Sequence, residues 1–206
     1  MRNRRPASNC GCYDRLVCFR ALGFFCFLLG WGLMVDGEEP AGGATYYVAT
    51  GGSDQTGDGS AGNPWATIEH AIGEVPDGST ILVRPGTYSG RVHLDRVFAL
   101  GVLVRSELPY QARLRHTGTV VTCFYGKGIT LSGFDVAHSG PGAGALVVQI
   151  QDLIGAPGGA DYVSRIVLTD NVFHDSYNND LVKINNGAGL ITVRGNHGAV
   201  IFIPSR

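Results

Sequence analysis

The densest set of residues able to do chemistry lies between Asp170 and Asn186, in Asp170-Asn-Val-Phe-His174-Asp175-Ser-Tyr-Asn178-Asn179-Asp180-Leu-Val-Lys183-Ile-Asn185-Asn186. Side chains alternate across a strand. If Val182 and Ile184 point into a core, Lys183 and Asn185 point outward together. Asp175, Asn178, Asn179 and Asp180 fall in the turn before that strand. Such an oxygen-rich turn suits Ca²⁺, which takes six to eight oxygen ligands. The same residues also suit a solvated Asx-rich turn with a surface lysine beside it. Asp54-Gln-Thr-Gly-Asp58-Gly59 reads as a surface turn, because it lacks the alternating ligands and distal Glu of a calcium loop. His70 is read as structural, and His93, His116, His138 and His197 show no metal-ligand spacing.

An internal repeat supplies the elements that must position these groups. Ile81-Leu-Val-Arg-Pro-Gly86, Val102-Leu-Val-Arg-Ser-Glu107, Ile129-Thr-Leu-Ser-Gly-Phe134, Ile166-Val-Leu-Thr-Asp-Asn171 and Ile191-Thr-Val-Arg-Gly-Asn196 superpose without gaps, at a period of about 25 residues. One longer interval contains the loop-like Gly155-Ala-Pro-Gly-Gly159. First and third positions are always β-branched or Leu, so they face one core. Ala145 to Ile150 and Leu181 to Ile184 read as further strands. One strand cannot bury its apolar face alone, whereas stacked equivalents make a continuous core. The expected fold class is therefore all-β, a right-handed parallel β-helix with a short N-terminal capping helix. Asn63 is the expected N-cap with Pro64 at the first helical position, and Ile68, Ala71, Ile72 and Val75 form its apolar face. Asn171 and Asn196 share a repeat position just after a strand, where stacked amides can form a ladder. Both also suit ordinary turns.

The opening of this region carries a resemblance. Tyr46-Tyr-Val-Ala-Thr-Gly-Gly-Ser-Asp54, Gly62-Asn-Pro-Trp-Ala-Thr-Ile-Glu-His-Ala-Ile72 and Gly78-Ser-Thr-Ile-Leu-Val-Arg-Pro-Gly-Thr-Tyr88 resemble the start of secreted β-helix proteins of the pectate-lyase-like superfamily. The resemblance covers Tyr46 to Asn196 and implies the fold more specifically than an activity. It implies a carbohydrate-active protein acting on uronate-containing glycans, with a polysaccharide lyase as the first candidate. In the superfamily's uronate lyases a cation neutralises the sugar carboxylate and a Lys or Arg removes the adjacent proton. Lys183 is the expected base, with Ca²⁺ held at Asp175, Asn178, Asn179 and Asp180. Arg84, Arg105 and Arg194 share repeat position four and, with Asn185, are the expected contacts to an acidic polysaccharide. Arg84 and Arg105, on successive repeats, fall close enough in the stack to sit side by side, and all three arginines also suit plain exposed strand ends. A non-catalytic glycan-binding or cell-surface structural protein is the alternative. A polygalacturonase-like hydrolase ranks lower, since only Asp175 and Asp180 offer a carboxylate pair and they share one turn.

Bulk properties fit this reading. The chain has 206 residues, 44% of them apolar and 16% charged, so it can bury a core. Thirty-one glycines point to many turns. The net charge of −1 gives no global field toward nucleic acid or an anionic membrane, and neither is expected as a partner. Arg2, Arg4, Arg5, Arg15 and Arg20 precede an apolar run from Ala21 to Val35, followed by Asp36, Glu38 and Glu39. That order reads as a signal peptide within residues 1–44, cut after Gly37 or Ala44, and an uncleaved anchor is the other reading. Export to the cell surface or medium follows, with no membrane contact once the leader is gone. Cys10, Cys12, Cys18 and Cys26 fall in the leader, leaving Cys123 as a packed apolar residue in the mature part. The β-helix domain spans 45–206 and reads as the N-terminal portion of a longer stack. The complete protein is expected to be a monomer.

Overall fold

In a computed structural model, the protein is described over residues 43–141, 145–153, 163–177, 180–185, 188–198 and 201–202. Residues 1–42 of the expected leader, the Gly155 to Gly159 loop and the turn residues Asn178 and Asn179 lie outside these residues. The described part is all-β with one short helix.

The chain visits three sheets in a fixed cyclic order. Strand β1 (Thr45–Val48) and helix α1 (Ile68–Glu74) come first. A first turn follows as β2 (Thr80–Val83), β3 (Gly86–Ser89) and β4 (Val92–His93). The second is β5 (Val97–Ser106), β6 (Ala112–His116) and β7 (Val121–Cys123), and the third is β8 (Lys127–Ser132), β9 (Asp135–His138) and β10 (Val148–Ile150). Then come β11 (Ser164–Thr169), β12 (Val172–His174) and β13 (Val182–Ile184), and finally β14 (Gly189–Arg194) and β15 (Ile201–Phe202). The first sheet runs β1-β2-β5-β8-β11-β14, the second β3-β6-β9-β12 and the third β4-β7-β10-β13-β15. Every strand pairing among them is parallel. Each strand thus pairs with its counterpart one turn of chain away.

Alternation fixes which residues fill the interior. Ile81, Val83, Val102, Val104, Ile129, Leu131, Ile166 and Leu168 are all at most 2% exposed. Ile191 and Val193 are only half-buried, because β14 is the edge of the first sheet. From Val102 onward the expected register holds, with Val102, Ile129, Ile166 and Ile191 in one row. The first step differs: Ile81 pairs with Val104 and Val83 with Ser106. A two-residue slip keeps every side chain on its own face, so the apolar pattern could not reveal it.

Left-handed residues stack in the same manner. Gly101, Gly128, Arg165 and Leu190 precede the four paired residues Val102, Ile129, Ile166 and Ile191, and all have positive φ. At Gly128 the choice is forced, since a Cβ would lie 2.5 Å from the Phe98 carbonyl oxygen. Gly133, Asp170 and Gly195 form a second such row between the first and second sheets.

Helix α1 covers the start of this core with Ile68, Ala71 and Ile72, and Val75 follows them inward. Its N-cap is Thr67, whose hydroxyl accepts from the His70 N–H, and not Asn63 as expected. The helix cannot begin before Thr67, because Trp65 bridges Val48 and donates its indole N–H to the Gly57 carbonyl. Asn63 instead donates to the Thr56 carbonyl. Asp54 accepts from the Ala66 and Thr67 amides and from the Thr67 hydroxyl. Partial burial raises the Asp54 carboxyl, but those hydrogen bonds outweigh it and hold the group below its ordinary value. Arg96 caps the last helical carbonyls, donating to Ile72 at 2.7 Å and to Gly73. Cys123 is a buried free thiol, pushed up to about 12 by burial, and it donates to the Leu94 carbonyl.

Candidate functional site

The residues singled out from the sequence do not converge. Lys183 and Asn185 do point away from the core of the third sheet, as alternation required, because Val182 and Ile184 are buried beside them. Lys183 lies in a row with Gln149, Thr122 and His93. Asn185 donates to Gln151 Oε1 at 2.9 Å, and Gln149 donates to the same oxygen at 3.0 Å. Arg105 and Arg194 are exposed on the first sheet, opposite Leu82 and Thr169 respectively. Arg84 is not beside Arg105, because the two-residue slip displaces it along the strand. Its guanidinium donates to the Ala61 carbonyl at 2.6 Å and covers the Tyr47 ring at 5.3 Å, so it fastens the N-terminal loop.

Asp175 is exposed and places Oδ2 3.0 Å from His174 Nδ1. Asp180 is half-buried. Among the described residues, no group of three or more His, Cys, Asp and Glu is gathered for a metal ion. Asn178 and Asn179 of the expected calcium turn lie outside the described residues.

A different group of polar side chains does converge, on the outer face of the second sheet. Tyr88, Leu114, Val136 and Phe173 form its inner row. Alternation then puts Thr87, Arg113, Asp135 and Val172 in one outer row, and Ser89, Arg115, Ala137 and His174 in the next. Arg115 Nη2 is 2.6 Å from Asp135 Oδ1, and its Nη1 donates to the Asp135 carbonyl at 2.9 Å. His174 Nε2 reaches the same Asp135 Oδ1 at 2.8 Å. His174 thus has a carboxylate oxygen within hydrogen-bonding distance of each ring nitrogen. Asp135 in turn joins a guanidinium and an imidazole from neighbouring strands.

At the strand ends the next positions return to the inward parity of Leu114 and Val136, where His116 is half-buried and His138 is buried. His116 and His138 pair in the next row. His138 Nδ1 accepts from the Tyr177 N–H at 3.4 Å, and its ring stacks on the Tyr177 ring at 6.4 Å. Its Nε2 therefore carries the hydrogen and donates to the Leu146 carbonyl at 3.3 Å. Tyr177 leaves about half its surface, 49%, open to solvent. Arg91 donates Nε to the Thr119 carbonyl at 3.0 Å, with Nη2 close to Gly118 and the His116 ring. Burial, then Arg91, then His138 hold His116 below its ordinary value of 6.5. The strip and the strand ends beside it thus offer guanidinium groups for anions, a half-buried imidazole held below its ordinary value at His116 and a carboxylate-clamped imidazole at His174.

Sequence reasoning passed over Arg91, Arg113, Arg115, His116, Asp135 and His138 as site residues. A signal existed in Ala112-Arg-Leu-Arg-His116, whose alternation aims Arg113 and Arg115 outward once Leu114 faces the core. The partner Asp135 lies one turn away and gives no local cue.

These features define an all-β protein of three parallel sheets with a charged strip on one outer face. No protein-family model, no curated protein and no solved structure matches the chain.

Proposed function

We propose that this chain is an exported right-handed parallel β-helix of the pectate-lyase-like kind, and that its second sheet acts on uronate-containing polysaccharide as a lyase. The cyclic strand order with parallel pairing supports the solenoid, and parallel crossovers are right-handed in almost all proteins. One observation carries the functional reading: Arg113 and Arg115 share the outer face of the second sheet with His174, and Arg91 lies beside the half-buried His116 where the strands of that sheet end. β-Elimination needs these group types. A guanidinium pairs with the uronate carboxylate and makes the adjacent C5 proton removable. The neutral His116 ring takes that proton. The C5–H electrons form the C4=C5 double bond as the C4–O bond breaks, and solvent water protonates the departing oxygen.

The test is a screen of pectate, alginate and glycosaminoglycans, with and without Ca²⁺, for the ultraviolet-absorbing unsaturated product. His116→Ala should abolish product while leaving the fold intact. Lys183→Ala belongs beside it, as the base expected from the sequence. Loss of turnover in Lys183→Ala alone moves the reaction centre to the third sheet. A specific observation favours a second reading, that of a non-catalytic glycan-binding protein. The Asp135 carboxylate is engaged by both Arg115 and His174, as in a structural ion network. Binding of acidic glycan with no unsaturated product from any substrate selects that reading. Export is tested by mass spectrometry of the secreted protein, whose N-terminus should fall between Glu38 and Tyr46.

A further inference from the structure

We propose that the charged strip ends in a cleft that receives the terminal sugar of an acidic glycan, so that the protein recognises chain ends and does not grip the chain at internal positions. This rests on the acidic-glycan reading of the strip and adds a direction to it. The cleft, about 400 Å³, opens between β3 and the loop that leads into α1. Its walls include Thr50, Thr67, Glu69, Thr87, Ser89 and Arg91. That volume is at the low end of the ~300–1,000 Å³ span of small-molecule sites.

Three features make it an end-binding site. First, it continues the strip, because Thr87 and Ser89 are in register with Arg113 and Arg115, while Arg91 lies beside His116. From β12 to β3 the strip crosses three strand spacings of ~4.8 Å, roughly 14 Å, which is enough for a few sugar units before the cleft begins. Second, residues beyond β3 stand in the path of the strip. The opposite wall is Thr50 and Ala66 to Glu69, held by the Asp54 hydrogen bonds to Ala66 and Thr67 and by the Trp65–Val48 bridge. A chain lying along the strip runs into this wall.

Third, the lining matches a sugar acid. Gly86 and Gly90 donate their N–H groups to Gln111 and Arg115 of the neighbouring strand. In a parallel pair, alternate residues turn their main-chain groups to opposite sides. Those of Thr87 and Ser89 therefore face the open edge of β3, where the cleft lies. Hydroxyls, edge main-chain groups and the Glu69 carboxylate suit sugar hydroxyls, and the Arg91 guanidinium suits the one carboxylate of a uronate.

The experiment measures binding by the full chain of hexameric oligogalacturonate, oligomannuronate and oligoguluronate. Each is used free, with a bulky fluorophore at the reducing end, or with one at the other end. End recognition predicts that one of the two labels lowers affinity at least tenfold and the other does not. Thr87→Trp, which fills the cleft from an exposed position, should lower affinity for the free hexamer to the same degree. Glu69→Gln is the milder companion and should lower it with the melting temperature unchanged. Equal tolerance of both labels, with unchanged affinity in both variants, overturns the end-binding inference and leaves the strip reading in place. Failure of every free hexamer to bind overturns the strip reading, and this inference with it.

Discussion

The side-chain amide of Asn171 stacks on that of Asn196, with Asn171 Nδ2 3.1 Å from Asn196 Oδ1. The same Asn196 oxygen accepts the Asn171 main-chain N–H at 2.8 Å, and Asn196 Nδ2 donates to the Leu168 carbonyl. One turn earlier, Asn171 accepts the Phe134 N–H and donates to the Leu131 carbonyl. The ladder anticipated from the shared repeat position is therefore present, and it ties three successive turns of chain. Asn171 is fully buried, so Asn171→Ala leaves the Phe134 N–H and the Leu131 carbonyl without these partners. The expected cost is about 2–3 kcal/mol, and Asn196→Ala, half-buried, should cost about 1 kcal/mol. Urea denaturation midpoints check both values. Equal, negligible shifts would show that water replaces the amides.

Cys123 provides an independent check on the core. Its thiol is buried and pushed up to about 12, chiefly by desolvation. A thiolate is the reactive form, so the native protein should resist alkylation at pH 8 and react fully once unfolded in urea. Rapid labelling of the native protein would place Cys123 outside the core.

These two residues also show where the sequence was legible. Stacked strands repeat their local pattern at each turn, so alternation in five segments sufficed to identify ten inward positions. Eight of them are fully buried. Asn171 and Asn196 were legible for the same reason. The helix face was legible from spacing, but its cap was not, because Asn63 lost the role to Thr67 through the long-range Trp65–Val48 bridge. The site was mostly illegible. Arg84 and Arg105 occupy equal repeat positions, yet the two-residue slip separates them. Arg115, Asp135 and His174 meet only because three turns stack in one register, and nothing near any one of them in the chain announces the other two.

His116 gives the strip a pH dependence with a definite sign. Its folded value lies below 6.5, through burial and then through Arg91 and His138. As pH falls below 6.5, the unfolded chain takes up this proton before the folded one does. This group's contribution to stability is therefore intact at pH 7 and is lost between 6.5 and the lower folded value. His116→Asn should make the denaturation midpoint less sensitive to acid across that window. In the lyase reading, turnover should fall over the folded part of the same window, as the ring ceases to accept a proton. Urea titrations at pH 7.5 and 5 check the first expectation. An unchanged difference between wild type and variant would remove His116 as the source.

In the proposed acidic-glycan reading, two arginines decide which sheet carries the chain. Arg113 is exposed on the second sheet, in the row of Asp135 and Thr87, within reach of the strip that ends at the cleft. Arg105 is equally exposed but belongs to the first sheet, opposite Leu82 and Ser132. Both have the guanidinium that pairs with a carboxylate, so intrinsic chemistry does not separate them, and only placement does. Arg113→Ala should weaken binding of oligouronate by roughly ten- to a hundredfold, the loss of one charge-assisted hydrogen bond of ~1.5–3 kcal/mol. Its binding should also depend less steeply on salt, because one ionic contact fewer remains to be screened. Arg105→Ala should leave affinity and salt dependence unchanged. Neither residue holds the fold together by a packed contact, so both variants should melt like wild type. Isothermal titration with oligogalacturonate at two salt concentrations reads both quantities. The opposite pattern, with Arg105→Ala weakened and Arg113→Ala unaffected, would return the glycan to the first sheet and make the Arg115–Asp135–His174 cluster a structural clamp between turns.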